Sequence, residues 1–316
     1  MKVLIVGAGA VGAYFGARLL ETGADATFLV RPKRQAQLGQ GLVVRSPHGD
    51  IRLAPPATVT ADRVQKGFGL VLLSCKAYDL AGAIESFAPA VDSGTVILPL
   101  LNGMRHLDIL KERFGAERVM GGLAVIAATL GEDGSVIHLN DVHSLTFGEL
   151  DNSRSPRAQA IEAVFAKAKF QSRLSDAIVQ EMWEKWVFIA ALAGSTCLMR
   201  AAVGDIVRSG NTYLLRRILH ECASIAAVHG FEPRPQQLAR SEGVLTDANS
   251  TLTASMLRDI ERGARTEADH VIGDLLSRRG AGPPEGSLLD VAFAQLKSHE
   301  LRQAREAAAG AARAPA

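Results

Sequence analysis

The chain is poor in cysteine and has no recognisable metal-ligand spacing. Its 316 residues include three cysteines, Cys75, Cys197 and Cys222. Their number is odd and no two form a C-x-x-C pair, which argues against a disulfide framework and against a zinc site. His138 and His143 are five residues apart in a segment that the pattern predicts as β structure, so they do not suggest a metal site either. We expect a cytoplasmic protein with reduced thiols and no metal.

Long apolar runs and an excess of charge are also lacking. The longest apolar stretch, 186–199, is interrupted by Gly-Ser-Thr and is shorter than the ~20 residues of a membrane span. The apolar residues before Gly7 are too few for a signal-peptide core, so we expect neither export nor a membrane anchor. Because 35 Lys and Arg balance 33 Asp and Glu, nothing favours nucleic acid or a membrane as partner. A small-molecule substrate is the expected partner.

The first half of the chain alternates short apolar runs with helical patterns, which is typical of a parallel sheet with crossover helices. The predicted strands are KVLIVG, DATFLVR, GLVLLSCKAYD and GTVILPLLNG. Alternating segments after about residue 119 predict further strands that extend this sheet, partly antiparallel. From about Ser175 the pattern is helical. The fold class is thus α/β, with a Rossmann-type doubly wound domain over 1–174 and a helical domain over 175–316 that would supply any homodimer interface.

Three glycines at the G-x-G-x-x-G spacing, Gly7, Gly9 and Gly12, follow the first predicted strand and open the first predicted helix. In a dinucleotide-binding loop such glycines allow a tight bend, a close approach of backbone to pyrophosphate, and helix-strand packing. The helix N-terminus adds amide groups and a positive dipole end. A structural glycine turn is the alternative, but this strand-helix context favours a cofactor loop. Its residues are Gly7, Ala8, Gly9, Ala10, Val11 and Gly12.

The second predicted strand lacks a carboxylate at its end. A carboxylate there would accept a ribose 2′-hydroxyl and repel a 2′-phosphate. Instead the segment VRPKR offers Arg31, Lys33 and Arg34. A guanidinium suits a phosphate through paired hydrogen bonds, so the segment favours NADP(H) over NAD(H). A solvated basic loop is the alternative interpretation.

Polar residues follow two later predicted strands. Lys76 in LLSCKAYD and Asn102 in LPLLNGMRH would project toward the cofactor crevice, since open α/β sheets bind ligands at the carboxyl ends of their strands. An ordinary surface lysine and a turn asparagine before glycine are the alternatives.

The helical half contains two further candidate segments. In EMWEKWVFIAALAG, Lys185 stands between two tryptophans on a largely apolar helix, where loss of hydration would lower its pKa toward neutrality. It would otherwise extend its ammonium group to solvent. In the segment TLTASMLRDIERGARTEADHVIGDLL, Ser255, Asp259 and Arg262 follow each other at steps of four and three, so a continuous helix would place them on one face. Taken alone, such a helix face is most often a salt-bridged surface, which is the alternative interpretation.

The motifs GAGAVG, CKAYD, LLNGM, EMWEKW and SMLRDIERGARTEADHVIGDLL occur in this order over nearly the whole chain. As an ordered set they resemble the ketopantoate reductases, which are NADPH-dependent 2-dehydropantoate 2-reductases. The resemblance implies a Rossmann domain followed by a helical domain, with the active site between them. It also implies reduction of a 2-keto acid to a 2-hydroxy acid on the route to pantothenate.

The resemblance also implies roles for individual residues. The three glycines look like the pyrophosphate loop and Arg31 like the 2′-phosphate ligand, with Arg34 beside it. Lys76 and Asn102 match crevice residues near the nicotinamide and the substrate. Lys185 matches the general acid. Ser255 and Glu267 match substrate-binding positions, and we group Glu267 with Lys185 as catalytic.

One departure from the family pattern concerns the substrate. Where the family has asparagines four and eight residues after the lysine, this chain has Ile189 and Ala193. Steps of four keep these positions on one helix face, so the substrate wall is predicted to be more apolar. A pocket that loses amide partners discriminates less well for a polar substrate. A reductase of a more apolar keto or hydroxy acid is therefore an alternative to ketopantoate reduction, and a non-catalytic NADP(H) sensor is another.

Overall fold

The computed structural model describes residues 1–280 and 286–311. The chain divides into two compact units, Met1–Val179 and Gln180–Ala316. This division by contacts lies slightly after the boundary at residue 174 that we predict from the sequence, and it falls inside a helix that begins at Ile178. The units are described separately below.

The described residues form strands and α-helices that are numbered here in chain order. The strands are β1 (Val3–Val6), β2 (Ala26–Leu29), β3 (Leu42–Arg45), β4 (Ile51–Leu53), β5 (Thr58–Val59), β6 (Leu70–Leu73), β7 (Val96–Pro99), β8 (Gly121–Leu130), β9 (Val136–Gly148) and β10 (Gln171–Leu174). The helices are α1 (Ala10–Leu20), α2 (Pro32–Leu38), α3 (Leu80–Phe87), α4 (Arg105–Phe114), α5 (Pro156–Phe165), α6 (Ile178–Met199), α7 (Val203–Arg208), α8 (Thr212–Val228), α9 (Pro235–Leu245), α10 (Ser255–Glu261), α11 (Asp274–Ser277) and α12 (Leu288–Ala311).

The first unit is built on a five-stranded parallel sheet in the order β5-β2-β1-β6-β7. Every residue of β1, β6 and β7 is buried, as expected for strands that are covered on both faces. The chain builds outward from β1 through β2 to β5 and then continues on the other side of β1 with β6. Ligands of such sheets bind at the carboxyl ends of the strands where the order reverses. The predicted α/β fold class is confirmed.

A second sheet, in the order β10-β9-β3-β4, completes the first unit, and β8 pairs with β9. The expectation that the segments after residue 119 extend the first sheet is therefore wrong for β8 and β9, although Val119 forms a parallel bridge with Ile97 of β7. These segments form the long antiparallel β8–β9 hairpin, whose strand β9 joins the hairpin of β3 and β4. Alternation of apolar and polar residues predicts a strand but does not identify the strand with which it pairs.

In the described part of the second unit the regular elements are all helices, from α6 to α12. The continuous helix expected around Ser255 is interrupted. Helix α10 ends at Glu261, and Gly263 follows with a φ of +66°. Its N–H bonds Ile260 O at 3.0 Å, and the next N–H bonds Asp259 O at 2.8 Å, which is the pattern of a glycine-terminated helix. Among the described residues, no helix combines the length and the apolar character needed to cross a membrane.

Candidate active site

The glycine loop connects β1 to α1, and its three glycines have different surroundings. Gly7 has a φ of +92°, which disfavours other residues. A Cβ on Gly12 would lie 2.1 Å from both Gly7 O and Ser74 Oγ. A Cβ on Gly9 would have no heavy atom within 4 Å, and its φ of −72° is ordinary. The fold thus requires Gly7 and Gly12, whereas the open space at Gly9 fits a ligand that approaches the backbone, as a pyrophosphate does.

Ser74, which directly follows β6, contacts this loop through its hydroxyl group. Its hydroxyl lies 2.8 Å from Gly7 O and 3.1 Å from Val6 O, in position to donate to either carbonyl. Helix α1 begins at Ala10, and no side chain caps its first turn. The first amide groups of α1 and its positive dipole end therefore suit an anion.

Arg34 and Arg31, both predicted cofactor ligands, differ in their contacts. The Arg34 guanidinium donates from Nε to Ala8 O at 2.9 Å and from Nη1 to Gly134 O at 3.0 Å. It thereby ties the glycine loop to the turn between β8 and β9, and burial lowers its pKa. Arg31 is exposed and pairs through Nη2 with Asp79 Oδ1 at 2.8 Å. Both assignments as cofactor ligands stay predictions, and the backbone contacts of Arg34 give it a structural use as well.

Lys76 and Asn102 lie at the same edge of the first sheet as the glycine loop. Lys76 follows β6 and directly precedes a short 3-10 helix, Ala77–Asp79. Asn102 follows β7 and precedes Gly103, whose φ is +76°. Because β1, β6 and β7 are parallel neighbours, the segments after them are adjacent. Both side chains are half-buried.

In the second unit, Lys185 is the titratable group with the clearest functional character. It lies on α6 between Trp183 and Trp186, which are 3% and 0% exposed, and is itself half-buried. Burial lowers the pKa of Lys185 from 10.5 to about 8, and the negative charge of Glu267 acts in the opposite direction. A lysine with such a pKa is still protonated at pH 7 and releases its proton more readily than a surface lysine.

The segment that carries Glu267 is held to α6 through Trp186. The indole Nε1 of Trp186 donates to Val271 O at 2.8 Å. Val271 lies in a π-helical turn, Asp269–Gly273, and its own N–H bonds Glu267 O at 2.9 Å. Trp186 is the next residue after Lys185, so one hydrogen bond links the helix that carries Lys185 to the turn that follows Glu267. Sequence reasoning treated Trp186 only as apolar surroundings, and only the fold reveals its partner.

The remaining predicted residues of the second unit lie on α6 and on or next to α10. Ser255 begins α10 and is exposed, while Asp259 is half-buried on the same helix. Arg262 lies just beyond the end of α10. Ile189 is half-buried and Ala193 is 3% exposed, both on α6 after Lys185. Their roles toward a substrate stay predictions.

Glu184, which directly precedes Lys185, is another residue that sequence reasoning missed. Its carboxylate accepts from Arg234 Nε at 2.7 Å and from Arg234 N at 2.9 Å. Gln180 donates to the same carboxylate at 3.2 Å. Although burial of Glu184 acts in the opposite direction, these donors leave its pKa below the usual value. Glu184 thus fixes α6 to the start of α9 and stays charged beside the lysine.

Among the residues that the structure describes, no group of three or more His, Cys, Asp or Glu side chains is arranged to hold a metal ion.

Residues 3–152 match the family described as Ketopantoate reductase PanE/ApbA, and residues 177–281 match its C-terminal part. The uncharacterized oxidoreductase YkpB of Bacillus subtilis is 35% identical over 302 residues, which cover 95% of this chain and 99% of that protein. The crystal structure of 2-dehydropantoate 2-reductase from Geobacter metallireducens is 28% identical, with a TM-score of 0.85 over 94% of this chain and 99% of the other.

D-mandelate dehydrogenase, in a ternary structure with NADH and anilino(oxo)acetate, is 22% identical. Its TM-score is 0.84 over 96% of this chain and 99% of its own, a likeness of fold. The two family matches together span most of the chain, and the members of this family use a nicotinamide cofactor. The chain is an oxidoreductase and belongs to the ketopantoate reductase PanE/ApbA family.

Proposed function

We propose that the protein reduces a 2-keto acid to the 2-hydroxy acid with NADPH, with 2-dehydropantoate as the first substrate to test. The observation that carries this proposal is the environment of Lys185, whose pKa is lowered to about 8 by burial while Glu267 opposes that change. An acid of this strength is matched to a reaction near neutral pH. The family membership and the relatives named 2-dehydropantoate 2-reductase support the same reaction.

The residues of the chain would divide the work as follows. The amide groups of the glycine loop and the N-terminus of α1 would hold the pyrophosphate, and Arg31 would bind the 2′-phosphate. The reduced nicotinamide, when bound, supplies a hydride to the keto carbon. Negative charge then develops on the carbonyl oxygen, which the Lys185 ammonium group stabilises and protonates. Lys76, Asn102 and Ser255 would orient the carboxylate and other polar groups of the substrate.

Replacement of Lys185 by alanine tests the acid. We expect Lys185→Ala to lower kcat for 2-keto acid reduction by roughly 10²- to 10⁴-fold, the usual contribution of a positioned proton donor. The Kd for NADPH should change little, because the cofactor residues lie in the other unit. Steady-state kinetics and a fluorescence titration of NADPH measure the two quantities. Lys167→Ala, which removes an exposed ammonium group from the first unit, is the control and should retain activity.

Ile189 and Ala193 favour a second candidate, reduction of a larger or more apolar keto acid, or oxidation of the corresponding hydroxy acid. Both positions follow Lys185 on α6 and carry no hydrogen-bonding side chain. A panel of keto acids assayed with NADPH separates the candidates through kcat/KM. If 2-dehydropantoate gives the highest kcat/KM, the proposal of an apolar substrate wall is wrong.

Binding of NADPH with no turnover of any keto acid would favour a non-catalytic sensor. The homodimer and the cytoplasmic setting stay predictions.

A further inference from the structure

An ion pair joins two strand ends at the edge of the first sheet that carries the glycine loop. Arg31 follows β2, Asp79 follows β6, and their Nη2 and Oδ1 atoms are 2.8 Å apart. Strand β1 lies between β2 and β6. Neighbouring strands are ~4.8 Å apart, so the pair connects strands that are roughly 10 Å from each other. It lies at the carboxyl edge where β1 ends and Gly7 begins the loop.

The stability of the fold does not account for this pair. Asp79 directly precedes α3, but its carboxylate accepts no capping hydrogen bond from that helix. Arg31 directly precedes α2 and likewise makes no capping bond. The side chains are 78% and 39% exposed for Arg31 and Asp79 respectively. Exposed ion pairs of this kind contribute little to folding stability, so the position of the pair is its informative property.

The two charges have opposite effects on a dinucleotide. A guanidinium after the second strand of a Rossmann sheet favours a 2′-phosphate, whereas a carboxylate there accepts the 2′-hydroxyl and repels the phosphate. The charged residues of the segment VRPKR after β2 are all basic, which is why the sequence favours NADP(H). The fold brings Asp79 to the same place from a strand on the other side of β1. Arg31 therefore faces a carboxylate that is not visible from the residues at the end of the second strand.

We propose that Asp79 is a cofactor-specificity residue that reduces the preference of this site for NADPH over NADH. The inference rests on the proposed function insofar as Arg31 binds the 2′-phosphate. Asp79 acts by occupying the Arg31 guanidinium, from which a 2′-phosphate must displace it, and by placing a negative charge beside that phosphate. NADH carries a 2′-hydroxyl instead, which donates to a carboxylate.

The test is the substitution Asp79→Asn in the full-length protein, with Kd values for NADPH and NADH from fluorescence titration at low ionic strength. A carboxylate within about 6 Å of a dianion at a hydrated surface changes a binding constant roughly tenfold. We expect Asp79→Asn to lower the Kd for NADPH about tenfold and to leave the Kd for NADH unchanged or slightly raised. Added salt should reduce the difference, because it screens exposed charges.

Two variants serve as controls for this test. Asp79→Glu keeps the charge and should keep the wild-type ratio of the two Kd values. Asp176→Asn removes an exposed carboxylate that is paired with Arg154 at 2.7 Å in the same unit, so it changes the net charge equally and should leave the ratio unchanged.

The inference is overturned if Asp79→Asn leaves the ratio of the two Kd values within about twofold of the wild-type ratio, or moves it toward NADH. A wild-type protein that binds neither cofactor would overturn the proposed function together with this inference. Wild-type protein that binds both cofactors but reduces no keto acid would contradict the proposed reaction alone. In that case the Asp79→Asn ratio still decides the inference.

Discussion

Gly9 differs from the other two glycines of the loop because the space that a side chain would occupy there is empty of protein atoms within 4 Å of an added Cβ. At Gly12 an added Cβ would overlap the carbonyl oxygen of Gly7, and at Gly7 the positive φ itself excludes most residues. At Gly9 neither the backbone conformation nor the packing requires glycine. The spacing G-x-G-x-x-G thus combines two glycines that the fold needs with one that the fold does not require, and for which we propose a close approach to the cofactor.

This difference predicts opposite results for two alanine substitutions. Gly9→Ala should lower the free energy of unfolding by at most about 1 kcal/mol, the cost of alanine at a helix N-cap, but weaken NADPH binding at least tenfold. Gly12→Ala should lower the free energy of unfolding by about 3 kcal/mol through overpacking against backbone. Urea unfolding and NADPH titration measure the two effects. Gly82→Ala, at an exposed helix position where a Cβ meets nothing within 4 Å, is the control. Unchanged NADPH binding in Gly9→Ala would contradict a cofactor loop.

At the scale of elements, the sequence predicts what depends on local pattern and fails where distant segments meet. The parallel strands and the helix that begins within the glycine loop follow from apolar runs and glycine spacing, and the structure has them. The pairing of β9 with β3 and the contact of Asp79 with Arg31 join segments far apart in the chain. Gly263, just beyond the end of α10 at Glu261, stands in the sequence as a possible helix terminator, but the helical periodicity on both sides of it predicts a continuous helix. The residues of the candidate site are predicted from strand and helix context together with the family resemblance, whereas contacts such as that of Trp186 with Val271 are not.

Three histidines, two on strand β9 and one in the loop between β3 and β4, form a cluster that their spacing in the sequence does not predict. His138 and His143 lie on β9 and His48 in the loop between β3 and β4. The His48 and His143 rings stack with centroids 3.8 Å apart, and the Tyr14 hydroxyl lies 2.6 Å from His143 Nδ1. Burial first, and then the charges of His48, His138 and Arg18, lower the pKa of His143 from 6.5 to about 4.

The cluster predicts a loss of stability in mild acid. The folded protein binds a proton on His143 less readily than the unfolded chain does, so the stabilisation is complete above about pH 6.5 and is lost as the pH falls toward 4. The loss should amount to on the order of 3 kcal/mol. Urea unfolding between pH 7.5 and pH 4 measures it. His143→Gln should reduce this pH dependence, while His220→Gln, at an exposed position on α8, should not. An equal slope in His143→Gln would contradict the role of the cluster.

At the scale of the whole molecule, the residues proposed to bind the cofactor and the proposed proton donor belong to different compact units. The glycine loop and Arg31 lie in the first unit, and Lys185 and Glu267 in the second. Each unit positions its own residues by hydrogen bonds within that unit. Examples are the bond from Arg34 to Ala8 in the first unit and the bond from Trp186 to Val271 in the second. Substitutions in the first unit are therefore expected to change cofactor binding and leave the pH dependence nearly constant. Substitutions in the second unit are expected to do the reverse.

The pH dependence of the reaction tests this separation. Lys185 must be protonated to act as an acid, so kcat/KM for keto acid reduction should fall as the pH rises through about 8. Because the charge of Glu267 raises the pKa of Lys185, Glu267→Gln should move this fall to a lower pH. Arg31→Ala should raise the Kd for NADPH more than that for NADH while the fall stays near pH 8. Glu306→Gln, at an exposed position on α12, controls for loss of a carboxylate in the second unit. If Arg31→Ala moves the fall, or Glu267→Gln does not, then the pH profile is not set by Lys185 under the influence of the Glu267 charge.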